Sequence, residues 1–230
     1  MRVLSRSFLL LWWLATTSLV QAQPLIRLIQ ATSAPTPIAA PERTPGLTPR
    51  TMVAPQATGP IHAPLHPGAT TSSAFLRGTF WETVAARYGL DAELLYGVAL
   101  QESRHGVGAH TSAPWPYTLR GPEGPQFHRS RAEAALALQR LTARYRPLAI
   151  DVGLMQVNLR WHGDKVANPA DLLEARTNLE IAARILVEAI ASAPGDLELG
   201  VGRYHHWNNE SIARAYGRRV LKMAKALADG

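Results

Sequence analysis

Ten of the seventeen prolines in this chain of 230 residues fall between positions 23 and 72, where only four residues are charged and no apolar residue recurs at a helical or strand spacing. Proline fixes φ and lacks a backbone N–H, so a stretch this rich in proline, threonine and alanine builds neither a helix nor a sheet interior. Residues 23–72 read as a flexible linker, and the core must come from residues 73–230. The first 22 residues differ again. Arg2 and Arg6, the apolar run FLLLWWL and the small-residue ending VQA before Gln23 are laid out as a cleavable secretory signal peptide.

Export and composition together narrow the class. The chain has no cysteine, so an exported form folds without disulfides and lacks the cysteine of a lipid-anchored lipoprotein. The formal net charge is +7, and loss of the two signal arginines leaves 22 basic against 17 acidic residues, or +5. That balance suits an anionic polymer. The basic residues are dispersed and no nucleic-acid-binding motif occurs, which argues against nucleic acid. After the signal no run approaches the roughly 20 apolar residues of a membrane span, so no integral span is expected once the signal is removed.

From about Phe75 the signals are helical. Thr79 with Glu82 forms a capping-box pattern ahead of FWETVAARYG, and Gly89 stands at the expected stop. Asp91 is then expected to cap AELLYGVALQESR, in which Leu94, Leu95, Val98 and Ala99 mark a buried face. Between Gly106 and Ser130, glycines and prolines forbid a long helix, and WPYTL and QFHR flank RGPEGP as a candidate hairpin. Ser130 with Glu133 opens a helix that Pro147 stops. Thr177 with Glu180 opens NLEIAARILVEAIAS, which Pro194 and Gly195 end. A short helix follows over about residues 197–206, and Asn209 caps a terminal amphipathic helix reaching Leu227. The expected fold is mainly α with a small β-hairpin or loop insert.

Within this pattern Glu102 is out of place. It lies four residues after Val98 and seven after Leu95, so it extends the buried face of its helix. A carboxyl in a partly enclosed apolar site has a raised pKa and keeps its proton near neutral pH. Such a group is a general acid suited to glycosidic bonds, whose leaving oxygen must be protonated as the bond breaks. The competing reading is a helix-end glutamate paired with Arg104 or a backbone amide. The loop GLMQVN adds Gly153, which permits close backbone approach, the soft Met155, and the amides of Gln156 and Asn158, which donate and accept hydrogen bonds as sugar hydroxyls require.

Glu102 and Ser103, GLMQVN at 153–158, NLEIAARIL at 178–186 and Tyr204 in GVGRYHHWN follow one another in an order that resembles the soluble lytic transglycosylase domain family of the lysozyme-like superfamily, over residues 80 to about 215. The export signal, the long tail and PWPYTL ahead of DVGLMQVN further resemble the specialised members that accompany conjugation and secretion machines. The resemblance implies a lysozyme-like fold and a periplasmic peptidoglycan lytic transglycosylase. Its substrate is the glycan strand, cut at the β-1,4 bond between N-acetylmuramic acid and N-acetylglucosamine. It further implies that Glu102 acts first as acid and then as base, closing a 1,6-anhydro ring. Ser103 is expected to orient the glutamate or the sugar, Met155, Gln156 and Asn158 to line the cleft, and Tyr204 to hydrogen-bond near the carboxyl. Components of a conjugation or secretion machine are the expected protein partners.

The chain departs from the family pattern in two places. Tyr204 is followed by His205 where asparagine is common, and residues 112–147 form a longer insert, expected to wall the cleft. Asp151 is the acid able to activate water in a hydrolytic muramidase of the same fold, and a non-catalytic wall-binding module is the third reading. His205 and His206 are adjacent and would point in different directions on a helix, and no metal-binding spacing occurs, so neither metal nor other cofactor is expected. Trp115, Trp161 and Trp207 are candidate sugar platforms.

Overall fold

The computed structural model describes residues 72–107 and 111–229; the expected signal peptide, and the linker up to residue 71, lie outside them. The described part is mainly helical, with a small antiparallel sheet. Helix α1, Phe80–Tyr88, ends at Gly89, whose φ of 66° closes the last turn. The capping box expected at its start does not form, since Glu82 bonds the residue before the cap. Glu82 accepts from the Gly78 N–H at 2.7 Å, and the buried Thr79 hydroxyl donates to the Leu76 carbonyl at 2.6 Å and caps nothing. Asp91 likewise makes no side-chain cap to α2, Ala92–Ser103.

Helix α2 is buried on nearly every side from Ala92 to Ala99, which makes it the central helix of the domain. Trp81 meets Tyr96 edge-on at 4.9 Å, and both join the core with Leu95, Leu154, Leu179 and Leu186. After α2 the chain forms a two-stranded ribbon, β1 (Arg104–Gly106) with β2 (Ser112–Pro114), which the sequence reading did not anticipate. The expected hairpin exists, with β3 at Thr118–Gly121 and β4 at Gly124–Phe127. Helix α3, Arg131–Arg144, starts as expected, because Ser130 Oγ accepts from Glu133 N and the Glu133 carboxylate accepts from Arg129 N.

The GLMQVN segment turns out to be a second hairpin. Strands β5 (Asp151–Val152) and β6 (Val157–Asn158) add to β3 in the order β4-β3-β5-β6, with Arg120 opposite Asp151 and Asp151 opposite Asn158. A single turn, α4 (Leu159–His162), follows. Helix α5 runs Ala175–Ala191, three residues earlier than the Asn178 start expected after a Thr177 cap. Glu174 is the reason: its carboxylate accepts from Thr177 N at 2.6 Å, a charge-assisted cap stronger than a threonine hydroxyl. Helix α6 spans Leu197–Arg203 and α7 spans Glu210–Ala228, the latter capped by Asn209 as expected.

Two helix pairs fix the site. Gly97 lets α2 approach α7, where an added Cβ would lie 3.3 Å from the Val220 carbonyl oxygen. Helices α6 and α7 meet at Gly202 and Gly217, where an added Cβ would fall 2.0 Å from the carbonyl oxygens of Ala213 and Glu198. Among the described residues no helix is long and apolar enough to cross a membrane.

Candidate active site

Glu102 lies in the last turn of α2, where the central helix leaves the core and reaches a cleft of about 440 Å³. Its side chain is 15% exposed. Burial raises its pKa from 4.5 to about 7, against the pull of the Tyr216 hydroxyl and the Arg120 guanidinium; Asp151 adds a further upward push. The Tyr216 hydroxyl donates to Glu102 Oε1 at 2.6 Å, and burial together with that carboxylate pushes the Tyr216 pKa well up, so the phenol stays a donor. Near neutral pH Glu102 therefore exchanges a proton readily while held in one orientation.

The opposite wall is the β5–β6 hairpin, which contributes Asp151, Gln156 and Asn158 to the cleft lining. Asn158 Nδ2 donates to Asp151 Oδ1 at 2.7 Å. Burial raises the Asp151 pKa, while Asn158 and Arg120 pull it down. Gln156 has a φ of 48°, in the left-handed region that favours glycine. Its Nε2 donates to the carbonyls of Thr118 and Gly153, which leaves Oε1 buried without a hydrogen-bond partner among the described residues. The left-handed glutamine and its buried, unpartnered acceptor lie in the wall of the cleft that Glu102 reaches. Trp161, 63% exposed on α4, adds an aromatic face to the lining.

The hairpin is held from behind by Asn178, a fully buried residue of α5. Its Nδ2 donates to the carbonyls of Val152 and Leu172 at 2.9 Å each, and its Oδ1 accepts from Met155 N at 2.8 Å. Gly153, with φ of 82°, is required here, since an added Cβ would lie 2.4 Å from both Asn178 Nδ2 and the Leu172 carbonyl oxygen. Asn178→Ala removes three buried hydrogen bonds and is expected to lower stability by about 3 kcal/mol and to loosen the cleft wall, as measured by urea unfolding and by hydrogen exchange at Met155.

The expected site residues meet in one region but not all in the expected roles. Glu102, Gln156, Asn158 and Tyr204 line the cleft. Met155 does not: its side chain is fully buried in the core, because the turn at Gly153 points it inward, and only its backbone serves the site. Ser103 is also buried and faces away from the cleft lining. Its hydroxyl donates to the Leu154 carbonyl at 2.6 Å and accepts from Trp115 N, tying the end of α2, one residue after Glu102, to the hairpin. Tyr204 donates to the Met155 carbonyl at 2.8 Å; the hydroxyl on Glu102 belongs to Tyr216 instead.

Tyr216, Asn178 and Arg120 escaped sequence reading. Tyr216 sits in the terminal helix among charged neighbours, and only its spacing with Ala213 and Val220 marked it as buried. Arg120 comes from the 112–147 insert, which thus reaches the cleft. Trp115 donates to the His128 carbonyl and packs on His105, while Trp207 lies half-exposed under the Arg203 guanidinium; neither is among the lining residues. Among the described residues no cluster of three or more histidine, cysteine or acidic side chains is placed to hold a metal ion. Comparisons with protein-family models, curated proteins and solved structures find no match to the chain.

Proposed function

We propose that residues 73–230 form a lysozyme-like lytic transglycosylase domain, acting on peptidoglycan in the periplasm after export and opening the wall locally for a conjugation or secretion apparatus. The observation that carries this reading is Glu102: a carboxyl with a pKa near 7, oriented by Tyr216, at the floor of a cleft long in hydrogen-bonding groups. Protonated Glu102 gives its proton to the glycosidic oxygen as the bond from that oxygen to the muramyl C1 breaks. The C6 hydroxyl oxygen then bonds to C1, and its proton passes to the Glu102 carboxylate, which restores the acid and leaves a 1,6-anhydro end. One carboxyl performs both transfers, and a pKa near the working pH suits both.

Asp151 supports a second reading. It lines the same cleft, and its placement opposite Asn158 in the sheet register fixes it there. As a base activating water it would make the enzyme a hydrolytic muramidase. The two differ in product: hydrolysis creates a reducing end at every cut, and the transglycosylase reaction creates none. Release of soluble glycan from purified sacculi without a rise in reducing ends is the expected result; a stoichiometric rise would assign hydrolysis.

Tyr216→Phe tests the electrostatics. The hydroxyl lowers the Glu102 pKa, so its removal raises that value further. Activity that needs protonated Glu102 should then persist to higher pH, and the alkaline limb of the pH profile of kcat/KM should move upward from about pH 7.

A further inference from the structure

Granting the acid-and-base reading of Glu102, on which this rests, we propose that His205 is a positioning residue for that carboxyl, holding Tyr216 against it by stacking and tuning its proton exchange by being neutral. The imidazole lies parallel to the Tyr216 ring, 4.7 Å away and tilted by only 4°. Its Nδ1 is 3.9 Å from Glu102 Oε1, the oxygen that accepts the Tyr216 hydroxyl. The backbone fixes the ring's origin, since His205 N donates to the Gly202 carbonyl at 3.0 Å just beyond α6. Two stacked rings and the carboxyl bonded to one of them thus meet from three segments of the chain.

At 3.9 Å the pair is too far apart for a hydrogen bond but close enough for charge to be felt. An imidazolium there would weaken the carboxylate as a base for the C6 hydroxyl proton. It would also add positive charge beside a sugar carbon that is itself becoming cationic. Neutral His205 is the working form, and its surroundings keep it so. The ring is half-exposed, and desolvation of its covered half lowers its pKa from 6.5, with His206, Arg219 on α7 and Arg120 on β3 acting in the same direction. The remaining groups facing it are Tyr216, which stays neutral, and Glu102, which is itself protonated up to about pH 7. Asparagine, expected after Tyr204 from the family pattern, has no such charge state to change.

The sign follows. As pH falls below 6.5 toward the lowered His205 pKa, His205 gains its proton and the rate declines, so the acid limb of the pH profile belongs to His205. His205→Phe keeps a flat ring on Tyr216 without a titrating group. His205→Asn loses the stack as well. With the full chain acting on sacculi, His205→Phe should retain at pH 5 a larger fraction of its neutral-pH rate than the wild type retains. His205→Asn should in addition lose several-fold in kcat with KM little changed. An independent readout is the carboxyl-carbon NMR titration of Glu102 in the full chain. The wild type should show a second inflection below pH 6.5 that His205→Phe lacks. Persistence of that inflection, or an acid limb unchanged in His205→Phe, overturns the proposal and turns attention to Asp151. Should the wild type cleave nothing, the functional reading fails on that ground, and the titration alone decides the coupling.

Discussion

Glu102→Gln is expected to abolish glycan cleavage and yet, at pH 8, to leave the protein more stable relative to the wild type than it is at low pH. Loss of the acid should cost on the order of 10²–10⁴ in rate. The gain in stability comes from burial. The folded carboxyl has its pKa raised from 4.5 to about 7, so the fold favours the protonated form. Its contribution is fully present below pH 4.5 and is lost as pH rises through 7. The wild type therefore loses about 3 kcal/mol between those limits that the glutamine variant does not lose. Urea unfolding of both proteins at pH 4.5 and pH 8 measures the difference. Parallel pH dependences would show that Glu102 is not held protonated by the fold, and would remove the basis of the catalytic reading.

Gly217→Ala should damage the fold and the site together. The new methyl would lie 2.0 Å from the Glu198 carbonyl oxygen, a backbone atom that cannot rotate aside, so α6 and α7 must separate. Overpacking of ordinary side chains costs about 1–3 kcal/mol, and a backbone clash belongs at or above the upper end of that range. Gly217 is next to Tyr216, and α7 is the helix that brings the phenol to Glu102. A displacement of about an ångström at such a contact costs on the order of 10²-fold in rate. The expected outcome is a lower unfolding midpoint accompanied by a rate loss at temperatures where the variant is still folded. Wild-type activity in the folded variant would show that the Tyr216 contact is dispensable.

The sequence was most informative where long-period signals operate. Apolar spacing located the helices and the inward position of Glu102, and serine, asparagine and glycine marked ends where they met standard geometry at Ser130, Asn209 and Gly89. Short-range signals failed where tertiary partners intervened. Thr79 gave its hydroxyl to Leu76, and Glu174 displaced Thr177 as the cap of α5. The two-residue strands β5 and β6 are too short to carry any periodicity. They are visible only through the register of β5 with β3 and of β6 with β5, and through the Asn178 clamp behind them.

At the site, the same division holds. Residues close to Glu102 and to the GLMQVN loop in sequence were found, because their types advertise hydrogen bonding or close approach. Their roles were harder to assign: a glycine turn reversed the direction of Met155, and the tyrosine on the carboxyl proved to be Tyr216, 114 residues distant. No local pattern encodes a contact of that separation.

The most direct measurement is mass spectrometry of the muropeptides released from purified sacculi by the full chain, with Glu102→Gln run in parallel. Anhydro-ended products from the wild type, and none from the variant, are the expected result. Equal release by the two proteins, or products one water heavier, would contradict the assignment of Glu102 as the acid and base of a lytic transglycosylase.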